Sequence, residues 1–136
     1  MVNVEFLVVT YFVALFVDWI FQWEWQAVNK SKWSWPGDTS LSMTALLTHS
    51  LCYAILTSTI VSLIIKMDTL DILIMVDILL LSHIIIDTRI PVKWIMKFKG
   101  MSDEQINDYT NYGFMHIGID HRLHELVILI LSMIIK

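Results

Sequence analysis

At 136 residues the chain has the size of one domain, but it is 57% hydrophobic and only 16% charged, whereas soluble domains average about 45–50% apolar and about 25% charged. A net charge of −4 leaves no basic face, which excludes nucleic acid as a partner. The single cysteine, Cys52, excludes an internal disulfide and a thiolate metal site; its apolar neighbours mark it as a core or lipid-facing residue.

The composition points to a membrane protein, and a helix needs roughly 20 mostly apolar residues to cross the hydrocarbon core. Four stretches qualify: Val4–Phe21, Leu41–Ile65, Leu70–Ile90 and Phe114–Ile135. No run alternates in barrel fashion, so helices are expected. The fold class is all-α: an integral membrane four-helix bundle forming one transmembrane domain over residues 1–136, with short interfacial amphipathic segments. The first twenty residues lack a basic leader region and a small-x-small cleavage site, so they are expected to stay as a span.

Between the first two spans lies WEWQAVNKSKWSWPGDTS, with Trp19, Trp23, Trp25, Trp33 and Trp35 in or beside it, as a headgroup-level aromatic belt would have. Pro36-Gly37 marks a turn, and Asp38, Thr39 and Ser40 offer a cap for the second span. Between spans three and four, Lys93, Trp94, Lys97 and Phe98 suggest a basic interfacial segment. Ser102 to Gln105 then fits a capping box that starts a short surface helix. The two long loops hold Lys30, Lys32, Arg89, Lys93, Lys97 and Lys99, against Lys66 and Lys136 on the other side. The bias places both loops in the cytoplasm and both termini outside.

Ionisable groups inside a membrane cost about 2.5–3.5 kcal/mol each on insertion scales, so their presence asks for a function. Span one ends with Asp18 and then Gln22; span two has His49; span three has His83 and Asp87; span four has Asp120 and His124. With a rise of about 1.5 Å per residue, all of them fall toward the cytoplasmic leaflet. Asp18/Gln22, His83/Asp87 and Asp120/His124 are i,i+4 pairs that share a helix face. The span-four stripe extends back to His116, and the span-one stripe runs on through Gln26 and Asn29. Asp77 lies off the His83 face and is assigned to the Ser/Thr ridge of span two, Thr57, Ser58, Thr59 and Ser62.

Imidazoles and carboxylates that converge without thiolates suit a divalent metal such as Zn, Mn or Fe. The expected ligands are His49, His83, Asp87, Asp120 and His124, with Asp18 and Asp120 as candidate catalytic carboxylates. Gln22, Asn29, Lys30, His121 and Arg122 are expected to orient ligands or touch substrate. An interhelical hydrogen-bond network and a proton or ion relay are the competing readings of the same residues.

VDWIFQWEWQAVNKSK, LLTHSL, LLSHIIIDTRI and IGIDHRLHELVIL together resemble a family of small bacterial and phage membrane proteins known only as a domain of unknown function. Most of the chain takes part. The resemblance picks out Asp18, Gln22, Asn29, Lys30, His49, His83, Asp87, Asp120 and His124, and departs at His121, where that family usually carries Gln. LTHSL and SHIIID are also distantly similar to the LexA-regulated membrane-bound metal-dependent hydrolases, although the His-Arg dipeptide of that group is missing before Thr48. These likenesses imply metal-dependent hydrolysis in a bacterial inner membrane, by a protein that is bacterial or phage-encoded.

The function expected is therefore a membrane hydrolase acting on a lipid or lipid-linked (phospho)ester at the cytoplasmic leaflet. Its partners are membrane lipids and an amphiphilic small-molecule substrate, with a homodimer left open. A proton or metal-ion carrier and a non-catalytic phage-type interaction protein are the alternatives.

Overall fold

The computed structural model describes residues 2–30 and 39–135, and among them all regular structure is helical. Seven helices follow in order: α1 (Val4–Ile20), α2 (Glu24–Asn29), α3 (Thr39–Ile65), α4 (Thr69–Asp87), α5 (Ile90–Phe98), α6 (Asp103–Asn107) and α7 (Tyr109–Ile134). Trp33, Trp35, Lys32, the Pro36-Gly37 turn and Asp38 lie outside the described residues.

Side-chain caps set most of the helix starts. Asn3 Oδ1 accepts the Phe6 amide at α1, and Asp68 Oδ1 accepts the Asp71 amide at α4. The expected capping box forms at α6: Ser102 Oγ accepts from the Gln105 amide, and Gln105 Oε1 accepts from the Ser102 amide. Lys66, at φ 51°, closes α3, and Arg89, at φ 59°, separates α4 from α5. The third predicted span therefore stops at Asp87, because the chain turns at Arg89 and restarts with Pro91 in the first turn of α5.

The four long helices form a ring in which α1 packs on α3, α3 on α4, α4 on α7 and α7 on α1. Their common core holds Phe6, Ala14 and Val17 of α1, Tyr53 and Val61 of α3, Met75 and Leu79 of α4, and Ile128 and Leu131 of α7. The Asn3 amide donates to the Ser132 carbonyl, which brings both ends of the described chain to one end of the bundle. At the opposite end α5 and α6 pack on the start of α7 through Val92, Met96 and Ile106.

Two helices, Ser40–Ile65 and Thr69–Asp87, are long and apolar enough to cross a membrane. α1 has 17 residues. α7 carries Asp120, Arg122 and Glu125 in its middle.

Candidate metal centre

α1, α3 and α4 each deliver a polar side chain to one point inside the ring. Four atoms meet there: Asp18 Oδ1, His49 Nε2, His83 Nε2 and Asp87 Oδ2. His49 Nε2 stands 3.1 Å from Asp18 Oδ1 and 3.5 Å from Asp87 Oδ2. His83 Nε2 stands 3.9 Å from Asp18 Oδ1, 3.2 Å from Asp87 Oδ2 and 2.9 Å from His49 Nε2. A tetrahedral ion with bonds of about 2.0–2.1 Å holds its donors about 3.3–3.4 Å apart, and the five separations bracket that value. Among the described residues, two groups have donor atoms close enough to hold a metal ion: Asp18, His49 and His83; and His83, Asp87 and His124.

The site is enclosed. His49 and His83 are buried, and the Asp87 side chain is 1% exposed. Asp18 is the partly open member, at 25%. Two carboxylates at this burial need cations, and one is supplied by Lys30, whose Nζ lies 2.9 Å from Asp87 Oδ2. Asp87 Oδ2 takes the Lys30 ammonium and also lies 3.2 Å from His83 Nε2, while Asp18 Oδ1 lies beside His49 Nε2. Acceptor atoms crowded together with few protons between them are what a bound cation would reconcile.

Neighbouring groups orient the rings. Gln22 Nε2 donates to His49 Nε2 at 3.0 Å, so Gln22 holds the lone pair that a metal would take and would have to turn aside for an ion to bind there. His124 Nδ1 donates to the Asp120 carbonyl at 2.9 Å, which leaves its buried Nε2 as the basic nitrogen, with no partner. Tyr53 stacks on His83 with ring centroids 4.0 Å apart and meets His124 edge-on. Tyr53 escaped the sequence reading, yet it stands four residues from His49 and so shares its face on α3.

The other expected residues separate into groups. Asp120 belongs to neither donor group; its Oδ1 is buried without a partner, and its backbone carbonyl serves His124. Asn29 Nδ2 bonds the Trp25 carbonyl, a contact within α2. Gln26 Nε2 donates to Thr48 Oγ1, and the bend at residues 21–23 breaks the helical stripe expected from Asp18 to Asn29. His121 meets the Trp19 ring, and Arg122 pairs with Glu125. His116 is buried away from the site, stacked on Tyr109 with Nε2 on the Ile106 carbonyl, because α5 and α6 cover the first turns of α7. Asp77 is exposed, not turned to the Ser/Thr ridge of α3, where Thr57 and Ser58 are buried.

A cavity of about 30 Å³ adjoins the cluster between α1, α3 and α7, bordered by Asp18, Tyr53 and His124. That is room for one or two water molecules. Comparison with family models, with characterised proteins and with solved structures finds no match for the chain.

Proposed function

We propose that the chain is a four-span membrane protein whose Asp18, His49, His83 and Asp87 hold one divalent metal, joined by His124 if a second ion binds. The observation that carries this reading is the cluster of four ligand-type atoms from three helices, in which His49 Nε2 and His83 Nε2 each lie within 4 Å of both carboxylates. Oxygen and imidazole donors without thiolate suit Zn, Mn or Fe.

A membrane setting is supported by where the molecule keeps its charge and its exposed hydrocarbon. Its interior holds the ionisable cluster, while Phe12, Phe16, Leu63, Leu73, Leu81, Ile85 and Ile130 face outward. Trp19, Trp23, Trp94 and Phe98 are exposed at the end that carries the cluster, as residues at a headgroup boundary would be. The basic residues of α5 favour placing that end in the cytoplasm of a bacterium.

The activity we assign is hydrolysis of an ester or phosphoester in an amphiphile. The metal would lower the pKa of a bound water and polarise the scissile group. In the hydrolytic state water would take Asp18's place on the metal, and Asp18, the open carboxylate at the cavity, would accept the proton of that water. Water adds across the scissile bond, and the leaving oxygen receives that proton. Lys30 balances the charge of Asp87.

One observation favours a second reading. The Lys30 ammonium on Asp87 already forms part of an ion-pair network, and such a network alone would fix helix pairing without a metal. Elemental analysis of chelator-free, detergent-purified protein separates the two. Stoichiometric metal in wild type, lost in His49→Ala and His83→Ala and retained in Asp120→Ala, supports the centre. Metal-free wild type sinks it and leaves the network.

A further inference from the structure

The cavity beside the cluster is not closed on the side of α1 and α7. Tyr11, Ala14, Leu15, His121, Glu125 and Ile128 complete its lining. Tyr11 and Glu125 also line a second, larger groove of about 340 Å³, whose other residues are Leu7, Val8, Phe12 and Arg122. The small cavity, with its carboxylates and imidazoles set among apolar side chains, and the large apolar groove thus share a wall along the α1–α7 seam. The Tyr11 hydroxyl and Glu125 Oε1 stand 3.5 Å apart at that wall, the long limit of a hydrogen bond and a weak latch.

The two ends of this passage differ in chemistry. The inner end meets the Asp18 carboxylate and the His124 ring, whose Nε2 is buried and unpartnered. The outer end is hydrocarbon: Val8 is 48% and Phe12 64% exposed, on the same outward apolar surface as Phe16 and Ile130. Arg122, 80% exposed at its side chain, holds a cation at the groove edge while paired with Glu125. A passage that is polar inside, apolar outside and open toward the outer surface fits a molecule with the same division.

We propose that the α1–α7 seam admits a single-chain amphiphile sideways from the bilayer, its polar group reaching Asp18 and His124 and its tail lying along Leu7, Val8 and Phe12. The entry deepens the hydrolase reading and rests on it for what happens at the inner end. The small inner volume holds one or two waters' worth of a substrate, so only the reacting group enters it, and both the rest of the head and the tail stay outside.

The test is photolabelling in lipid vesicles with a lysophosphatidylcholine that carries a diazirine at the end of its acyl chain, read by peptide mapping. Label concentrated on residues 7–15 and 122–128, competed by unlabelled lysophosphatidylcholine, supports the entry. Val8→Trp and Leu15→Trp, at two half-exposed positions of the seam, are each expected to lose this labelling while keeping the wild-type metal content. Label spread evenly over the outward helical faces, or unchanged in both variants, overturns the entry. Seam labelling in a protein without metal overturns the metal centre alone, and a metal-loaded protein with an unlabelled seam overturns the entry alone.

Discussion

Two residues decide how the buried charge is managed. Lys30 and Asp87 pair inside the protein, with side chains 10% and 1% exposed. Removing one partner of such a pair typically costs about 3–5 kcal/mol, because the other charge is left uncompensated. If a metal shares Asp87, the ion takes over that compensation. Lys30→Met is therefore expected to destabilise chelator-treated protein by about 3–5 kcal/mol and metal-loaded protein by clearly less. Thermal melts of both forms check this, and equal losses would mean that no metal touches Asp87. Tyr53 gives a second expectation. Its ring fills the core and braces His83. Tyr53→Ala should cost about 3–5 kcal/mol, and Tyr53→Phe, which keeps the ring, under about 1.5 kcal/mol, by chemical denaturation. The i,i+4 rule placed His83 with Asp87 correctly, but it could not find Tyr53, since an aromatic in an apolar helix looks the same whether or not it braces a ligand.

Among the elements, α5 ends in a closure that depends on one glycine. Gly100 sits at φ 84°; its amide bonds the Lys97 carbonyl, and the Met101 amide bonds the Met96 carbonyl. This is the Schellman pattern, with Met101 folded back on the cluster that contains Met96. A Cβ at Gly100 would meet nothing within 4 Å, so the penalty of Gly100→Ala is conformational alone, about 1–2 kcal/mol for a left-handed residue. A melting temperature unchanged by Gly100→Ala would refute that. At the next helix, Asp108 accepts the Thr110 and Asn111 amides and the Asn111 side chain, and the hydrogen bonds from Asn111 hold its carboxyl below the usual range. A lowered folded-state pKa stabilises above the ordinary carboxylate pKa, and that contribution fades as pH falls through the lowered value. Asp108→Ala should thus weaken the start of α7 at neutral pH and make no difference at strongly acidic pH, measured by hydrogen exchange of the Thr110 and Asn111 amides. The α6 cap was readable because Ser102 and Gln105 carry a local signal. The break at residues 21–23 was not: Asp18, Gln22, Gln26 and Asn29 keep helical spacing across it, whereas the chain restarts as α2 with Gln26 Oε1 accepting the Trp23 amide and α2 packed on α3. For the same reason His116 shares a helical face with Asp120 and His124 in sequence but lies outside the site, under α5 and α6.

At the scale of the whole molecule, the ionisable cluster is buried beside an apolar core, and much of the outer surface is apolar as well. Four long helices packed in a ring have little hydrophobic force between them if lipid surrounds them, so polar contacts must specify the packing. Asp18, His49, His83 and Asp87 tie α1, α3 and α4 together, and His124 brings α7 to the same point. A metal there would cross-link three or four elements at once, and binding free energy would become stability of the bundle. An ion present at about one hundred times its dissociation constant adds roughly 2.7 kcal/mol. At several degrees per kcal/mol, chelation should lower the melting temperature of the purified protein by on the order of 10 °C. Readdition of the metal should restore it, and His83→Ala should melt at or below the chelated temperature and be unmoved by added metal. A wild-type melting curve indifferent to both chelator and metal would leave the polar knot to Lys30 and the carboxylates alone.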